Sequence, residues 1–138
     1  MSRHSIRIEQ DFAVSVEAVY AQLSDHDRLA SVFGVPCRRI RNGDAELNGT
    51  GSVRRIGVWP LALEETVVAA EPNKRIDYRI SRGGAPLKNH RGQLTFTSTP
   101  TGSHVLWEIN FTVPLPLVGH LIEKTLAQGI RRGLRKSV

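Results

Sequence analysis

From Cys37 to Val113 the chain carries turn-forming residues at short, recurring intervals and no stretch with helical spacing. The turns sit at Asn42-Gly43, Asn48-Gly49, Pro72-Asn73, Gly83-Gly84 and Pro100-Thr101-Gly102, residue types that tolerate positive φ or preset the chain for reversal. Between them apolar and polar residues alternate. Ile76, Tyr78 and Ile80 are separated by Asp77 and Arg79, and Val105, Trp107, Ile109, Phe111 and Val113 by Leu106, Glu108, Asn110 and Thr112. A period of two with no intervening helix predicts an antiparallel meander, apolar on one face and polar on the other. Such a sheet is stable only if something covers its apolar face.

The flanks supply the cover. Upstream, Ile6, Ile8 and Phe12 alternate with Arg7, Glu9 and Asp11, so Ser5 to Phe12 is expected as a further strand, with Gln10 the one polar residue on its apolar side. Ser15 reads as a helix cap, with Glu17 in the first turn and Val16, Val19, Tyr20 and Leu23 at helical spacing. A second cap at Ser24 or Asp25 opens a short helix through Leu29 and Phe33, ended by Gly34 and Pro36. Downstream, Pro114 and Pro116 halt the last strand. Leu117 to Arg135 then reads as one amphipathic helix, with Val118, Leu121, Ile122, Leu126, Ile130 and Leu134 on its apolar stripe. At ~1.5 Å per residue it spans roughly 30 Å, comparable with the strands.

The expected architecture is therefore α+β and a single domain over residues 1–138. A curved antiparallel sheet of about seven strands wraps the long C-terminal helix, with two short helices after the first strand. The 138 residues, 40% hydrophobic and 23% charged, suffice for an ordinary core. The lone Cys37 can form no internal disulfide, and no CxxC is present to hold zinc. No apolar run is long enough to span a bilayer, and the charged N-terminus lacks a secretory core, so a cytoplasmic setting is expected.

Several segments carry a resemblance. Val14-Ser15-Val16-Glu17-Ala18-Val19-Tyr20 is followed by Leu23-Ser24-Asp25-His26, then by Gly49-Thr50-Gly51-Ser52-Val53-Arg54 and by Glu64-Glu65-Thr66-Val67 leading to Glu71-Pro72. Ile76-Asp77-Tyr78-Arg79-Ile80, the strand at Gly92 and Val105-Leu106-Trp107-Glu108 complete the series. In this order they resemble the START/Bet v 1-like (SRPBCC) superfamily and its helix-grip fold, in the polyketide cyclase/dehydrase-like branch. The resemblance implies a hydrophobic cavity for a small molecule such as a lipid, polyketide or isoprenoid. Members of the superfamily carry lipids, sense ligands, or catalyse cyclisation and dehydration.

Polar residues in phase with the apolar face are the site candidates, because burial without a partner costs several kcal/mol. Arg54 shares the phase of Ile56 and Val58, and Glu65, in a strand expected from Leu61 to Ala70, that of Leu63, Val67 and Ala69. These strands are sequential, so an Arg54–Glu65 pair is expected at the cavity wall, either as a self-neutralising structural pair or as a ligand contact. His90 runs in phase with Gly92, Leu94 and Phe96, and Tyr78 with Ile76 and Ile80. Both are expected to face the cavity, as hydrogen-bond donors or as ordinary half-buried residues. Trp107 and Phe111 add bulk, as core or as pocket wall. On the helix, Leu126 and the series Thr125, Gly129 and Gly133 mark close packing on the sheet, room for a ligand, or a flexible last turn. In a catalytic version, Glu65 or His90 would act as acid and base, with Arg54 or Tyr78 stabilising an oxyanion.

Other motifs fail. Asp25-His26-Asp27 does not converge as metal ligands do, Gly49-Thr50-Gly51-Ser52 has Arg54 where a dinucleotide loop needs glycine, and neither GxSxG nor a P-loop occurs. Neither metal nor cofactor is expected. From Pro116 onward Lys124, Arg131, Arg132, Arg135 and Lys136 against Glu123 hold +4 of the net +6. These cations complement the helix dipole, or dock on an anionic membrane surface or RNA. The near-neutral remainder gives no sign of a DNA-binding domain, and the chain is expected as a monomer or homodimer.

Overall fold

The alternating runs become the strands of one antiparallel sheet. In the computed structural model, which describes residues 2–137, the order is β1 (Ser2–Phe12), α1 (Val16–Ser24), a 3₁₀ turn (His26–Arg28), α2 (Ala30–Phe33), β2 (Cys37–Arg41), β3 (Val53–Ile56), β4 (Leu63–Glu71), β5 (Arg75–Arg82), β6 (Lys88–Thr99), β7 (Gly102–Val113) and α3 (Pro116–Ser137). The strands lie in the order β1-β7-β6-β5-β4-β3-β2. From β2 to β7 each strand pairs with its sequence neighbour, and β1 closes beside β7. Among the described residues no helix is long and apolar enough to cross a membrane.

Local chemistry sets the helix boundaries. Ser15 Oγ accepts from the Ala18 N–H at 3.2 Å, capping α1. The single second helix expected from the sequence is two pieces. Asp25 caps the 3₁₀ turn through its carboxylate, which accepts from Asp27 N–H at 3.0 Å, and α2 ends on Gly34 at φ 73°, where glycine adopts the left-handed conformation without strain.

The concave face buries Ile6, Ile8, Val67, Ile76, Leu94, Phe96, Val105 and Ile109, with Val19 and Leu23 of α1 and Val32 of α2 against them. Tyr78 and Trp107 fill the centre. Gly92 makes this possible, because a side chain there would overlap the Tyr78 ring across the β5–β6 pair. The space between sheet and helix is therefore largely occupied by the protein's own side chains.

Three expectations need correction. Val58 and Leu61, read as strand residues, lie in the β3–β4 loop and are exposed, because β3 ends at Ile56 and β4 begins at Leu63. A bulge in β4 between Val67 and Ala69 shifts the phase, so that Ala69 pairs with Asp77 while Ala70, opposite buried Ile76, packs against the core. On α3 the apolar stripe is buried only in its second half. Ile130 and Leu134 are sealed, whereas Leu121 is exposed. The helix glycines also differ from the packing and ligand readings: a Cβ at Gly133 would run into the Val32 carbonyl of α2 rather than the sheet, and Gly129 is exposed with nothing within 4 Å.

Candidate functional site

β3 and β4 put a charge pair on the concave face. Arg54 and Glu65 stand directly opposite in register and are 3% and 6% exposed. Arg54 Nε donates to Glu65 Oε1 at 2.8 Å, and Nη2 approaches the same oxygen at 2.7 Å without hydrogen-bond alignment. The guanidinium lies 4.6 Å from the Tyr78 ring centroid and 5.6 Å from that of Phe33, so aromatic faces supply part of the solvation that burial removes. Burial works against the Arg54 charge, but Glu65 outweighs it and raises the pKa.

Behind the pair lies a sealed polar chain. Arg54 Nη1 points to His26 Nδ1 at 3.5 Å, and His26 Nε2 lies 2.8 Å from Ser52 Oγ. Burial, helped by Arg54 and Arg39, lowers the His26 pKa to about 3. The imidazole is thus neutral, with its proton on Nε2 donated to Ser52. A serine beside a histidine suggests a nucleophile, but Ser52 and His26 are 0% and 1% exposed. They hold the 3₁₀ turn onto β3.

In front of the pair lies a groove of about 450 Å³, walled by Ile56, Leu63 and Ile80 from the sheet and by Leu121, Ile122 and Leu126 from α3. Glu65, His90 and Thr125 bring polar atoms to this apolar lining. The Ile80 N–H donates to His90 Nδ1 at 3.0 Å, which places the neutral ring's proton on Nε2. Burial lowers the His90 pKa against the opposing pull of Glu65. His90 Nε2 faces Glu65 Oε2 across 3.8 Å, too far for a hydrogen bond. Glu65 therefore spends one oxygen on Arg54 and turns the other toward an N–H donor across a gap.

The candidate residues separate into three groups. Glu65, His90 and Leu126 line the groove. Arg54, Tyr78 and Trp107 form a layer behind it, where the Tyr78 hydroxyl accepts from Trp107 Nε1 at 2.7 Å and burial raises the tyrosine pKa. Phe111 stacks on His4 instead, at 5.5 Å between ring centroids, and Gly129 faces open space. Leu87 and Phe33 carried no local mark of the groove, nor His26 and Ser52 of their pairing, and Leu63 was legible only as an in-phase neighbour of Glu65. Ile80 was legible as a neighbour of Tyr78 in phase, but the groove's position was not.

The sequence matches a family model described as polyketide cyclase / dehydrase and lipid transport over residues 3–138. No curated protein matches it. Similar folds among solved structures include the di-domain ARO/CYC StfQ from the steffimycin biosynthetic pathway, with a TM-score of 0.78 at 16% identity, covering 96% of this chain and 48% of that one. Norcoclaurine synthase from Thalictrum flavum, in complex with dopamine and hydroxybenzaldehyde, aligns with a TM-score of 0.71 at 13% identity over 99% of this chain and 84% of its own. Ara h 8.0201 aligns with a TM-score of 0.69 at 16% identity over 96% and 95%. At such identities the likeness is one of fold. The family match spans nearly the whole chain, and with the seven-stranded sheet closed around α3 it places the protein in the polyketide cyclase / dehydrase and lipid transport family, on the helix-grip fold of the START/Bet v 1-like superfamily.

Proposed function

We propose that the protein binds a largely apolar small molecule bearing one hydroxyl or carbonyl group, in the groove between β3–β6 and the first half of α3. The family supports a hydrophobic ligand-binding or cyclase-type role. The observation that carries the finer reading is the pairing of Glu65 Oε2 with His90 Nε2–H across 3.8 Å at the wall of an otherwise apolar groove. The carboxylate accepts from a ligand hydroxyl, and the imidazole donates to a carbonyl. Apolar burial supplies affinity at about 25 cal/mol per Å² before ordering costs, and the two polar groups fix orientation. A groove of about 450 Å³ suits a lipid fragment, a polyketide or an isoprenoid.

The same geometry favours one catalytic version over others. His90 cannot serve as general base, because its lone-pair nitrogen already accepts from Ile80 N–H. Glu65 Oε2 is the candidate base and His90 Nε2–H the candidate oxyanion donor, while Arg54 and Tyr78 act from behind by holding them. The test is displacement of an environment-sensitive naphthalene sulfonate dye by a panel of hydroxylated and plain aromatics. Leu126→Trp, which fills the groove, is expected to abolish dye binding while the protein stays folded. Glu65→Gln is expected to weaken hydroxylated ligands selectively and to stop any turnover. Unchanged binding in Leu126→Trp would remove the groove as the site.

A further inference from the structure

On another side of α3, away from the groove, two residues of the helix meet His4 at the start of β1. His4 is 5% exposed, its ring stacked on Phe111 at 20° between planes. Gly119 of α3 leaves the space that the ring occupies, since a Cβ there would collide with His4 Nε2. A glycine inside a helix costs about 1 kcal/mol relative to alanine, and here it admits an imidazole. His4 Nε2 lies 2.8 Å from Ser2 Oγ, and Nδ1 lies 2.9 Å from Glu123 Oε2. One turn earlier on the helix, exposed His120 presents its ring edge-on to His4 at 5.0 Å. The ligating atoms of His4, His120 and Glu123 all lie within 4.8 Å of one another.

We propose that His4, His120 and Glu123 form a binding site for a divalent transition-metal ion of the zinc type. A histidine–carboxylate tether accounts for His4 and Glu123 alone. It does not account for His120, placed three residues before Glu123, where the helix brings both onto one side. Two imidazoles and one carboxylate are a donor set suited to zinc, cobalt or nickel and poorly suited to magnesium or calcium. In a tetrahedral site with bonds of about 2.0–2.1 Å the donor atoms stand about 3.3 Å apart. Turning the exposed His120 ring brings the three donors to that spacing. The ion sits between His4 Nδ1 and Glu123 Oε2, which now face each other at 2.9 Å. With Nδ1 ligating, His4 Nε2 is left to bond Ser2 Oγ at 2.8 Å, an outer contact of the kind that fixes a ligating ring. The fourth position is left to water or an external ligand.

The experiment is equilibrium dialysis of the chelator-treated full chain against zinc, with cobalt as a spectroscopic probe. The expected result is one zinc per chain, a raised melting temperature, and the visible bands of four-coordinate cobalt. His120→Ala, at an exposed position and so expected to fold, weakens zinc by roughly tenfold or more, and Ser2→Ala by about tenfold. Excess magnesium or calcium does not displace the ion. The competing surface cluster of His104 with Asp11 and Glu9 is the control: His104→Ala leaves zinc binding unchanged. Zinc uptake unaffected by His120→Ala, abolished by His104→Ala, or absent in the wild-type chain overturns the proposal.

Discussion

In the second half of α3, Ile130 and Leu134 are 1% and 0% exposed; in the first half, Leu117 and Leu121 are 83% and 67% exposed. Both pairs are large aliphatics on one continuous helix, but Leu121 stands nine residues before Ile130, about 180° round the axis, so they differ in face as well as in partner. The second half meets α2 so closely that the missing side chain of Gly133 admits the Val32 carbonyl. The first half faces the groove, where Leu121 is wall rather than core. An apolar stripe thus states which face avoids water, not whether protein or a guest will cover it. Packing density fixes one end of the molecule, and the other end keeps a groove open.

The sharpest way to break this contrast is to truncate one residue at each end. Ile130→Ala is expected to destabilise by about 3 kcal/mol in denaturant unfolding, while Leu121→Ala changes stability by less than about 0.5 kcal/mol and weakens dye binding in the groove. Equal costs at both positions would contradict it. Gly133→Ala comes next, at about 2 kcal/mol of destabilisation, because backbone must move to admit the methyl.

Acid probes the packed end through its polar chain. Below pH 6.5 the unfolded chain protonates at His26, whereas the folded one refuses the proton until about pH 3. The unfolded state then binds more protons, so stability falls with pH through that window by up to about 1.4 kcal/mol per unit. His90, also lowered, acts in the same direction. Melting curves from pH 7 to pH 4 check the slope, and His26→Gln is expected to flatten it. The smallest effect has the opposite sign. Gly129→Ala, with open space around it, is expected to gain about 0.5–1 kcal/mol from helix propensity alone.

Much of the architecture was legible before any coordinates. Turn pairs and period-two alternation located the β2–β7 meander, and Ser15 and Gly34 marked helix ends through short-range chemistry. The Arg54–Glu65 register was readable because strand phase is a local property and sequential strands pair. The loop after β3 misled, since Val58 and Leu61 keep the alternation after the strand has ended. His26 looked like part of a cap, and nothing in its neighbours told of Ser52 or Arg54.

The sequence by itself determined the elements, their order and the face each one buries, because side-chain period and turn chemistry act over a few residues. Only the tertiary structure decided that Glu65 and His90 share a groove while Arg54, Tyr78 and Trp107 stand behind it. It alone brought His4 to Glu123, 119 residues away. Those meetings depend on how the sheet curves and where α3 crosses it, and that is settled by packing among side chains far apart in the chain.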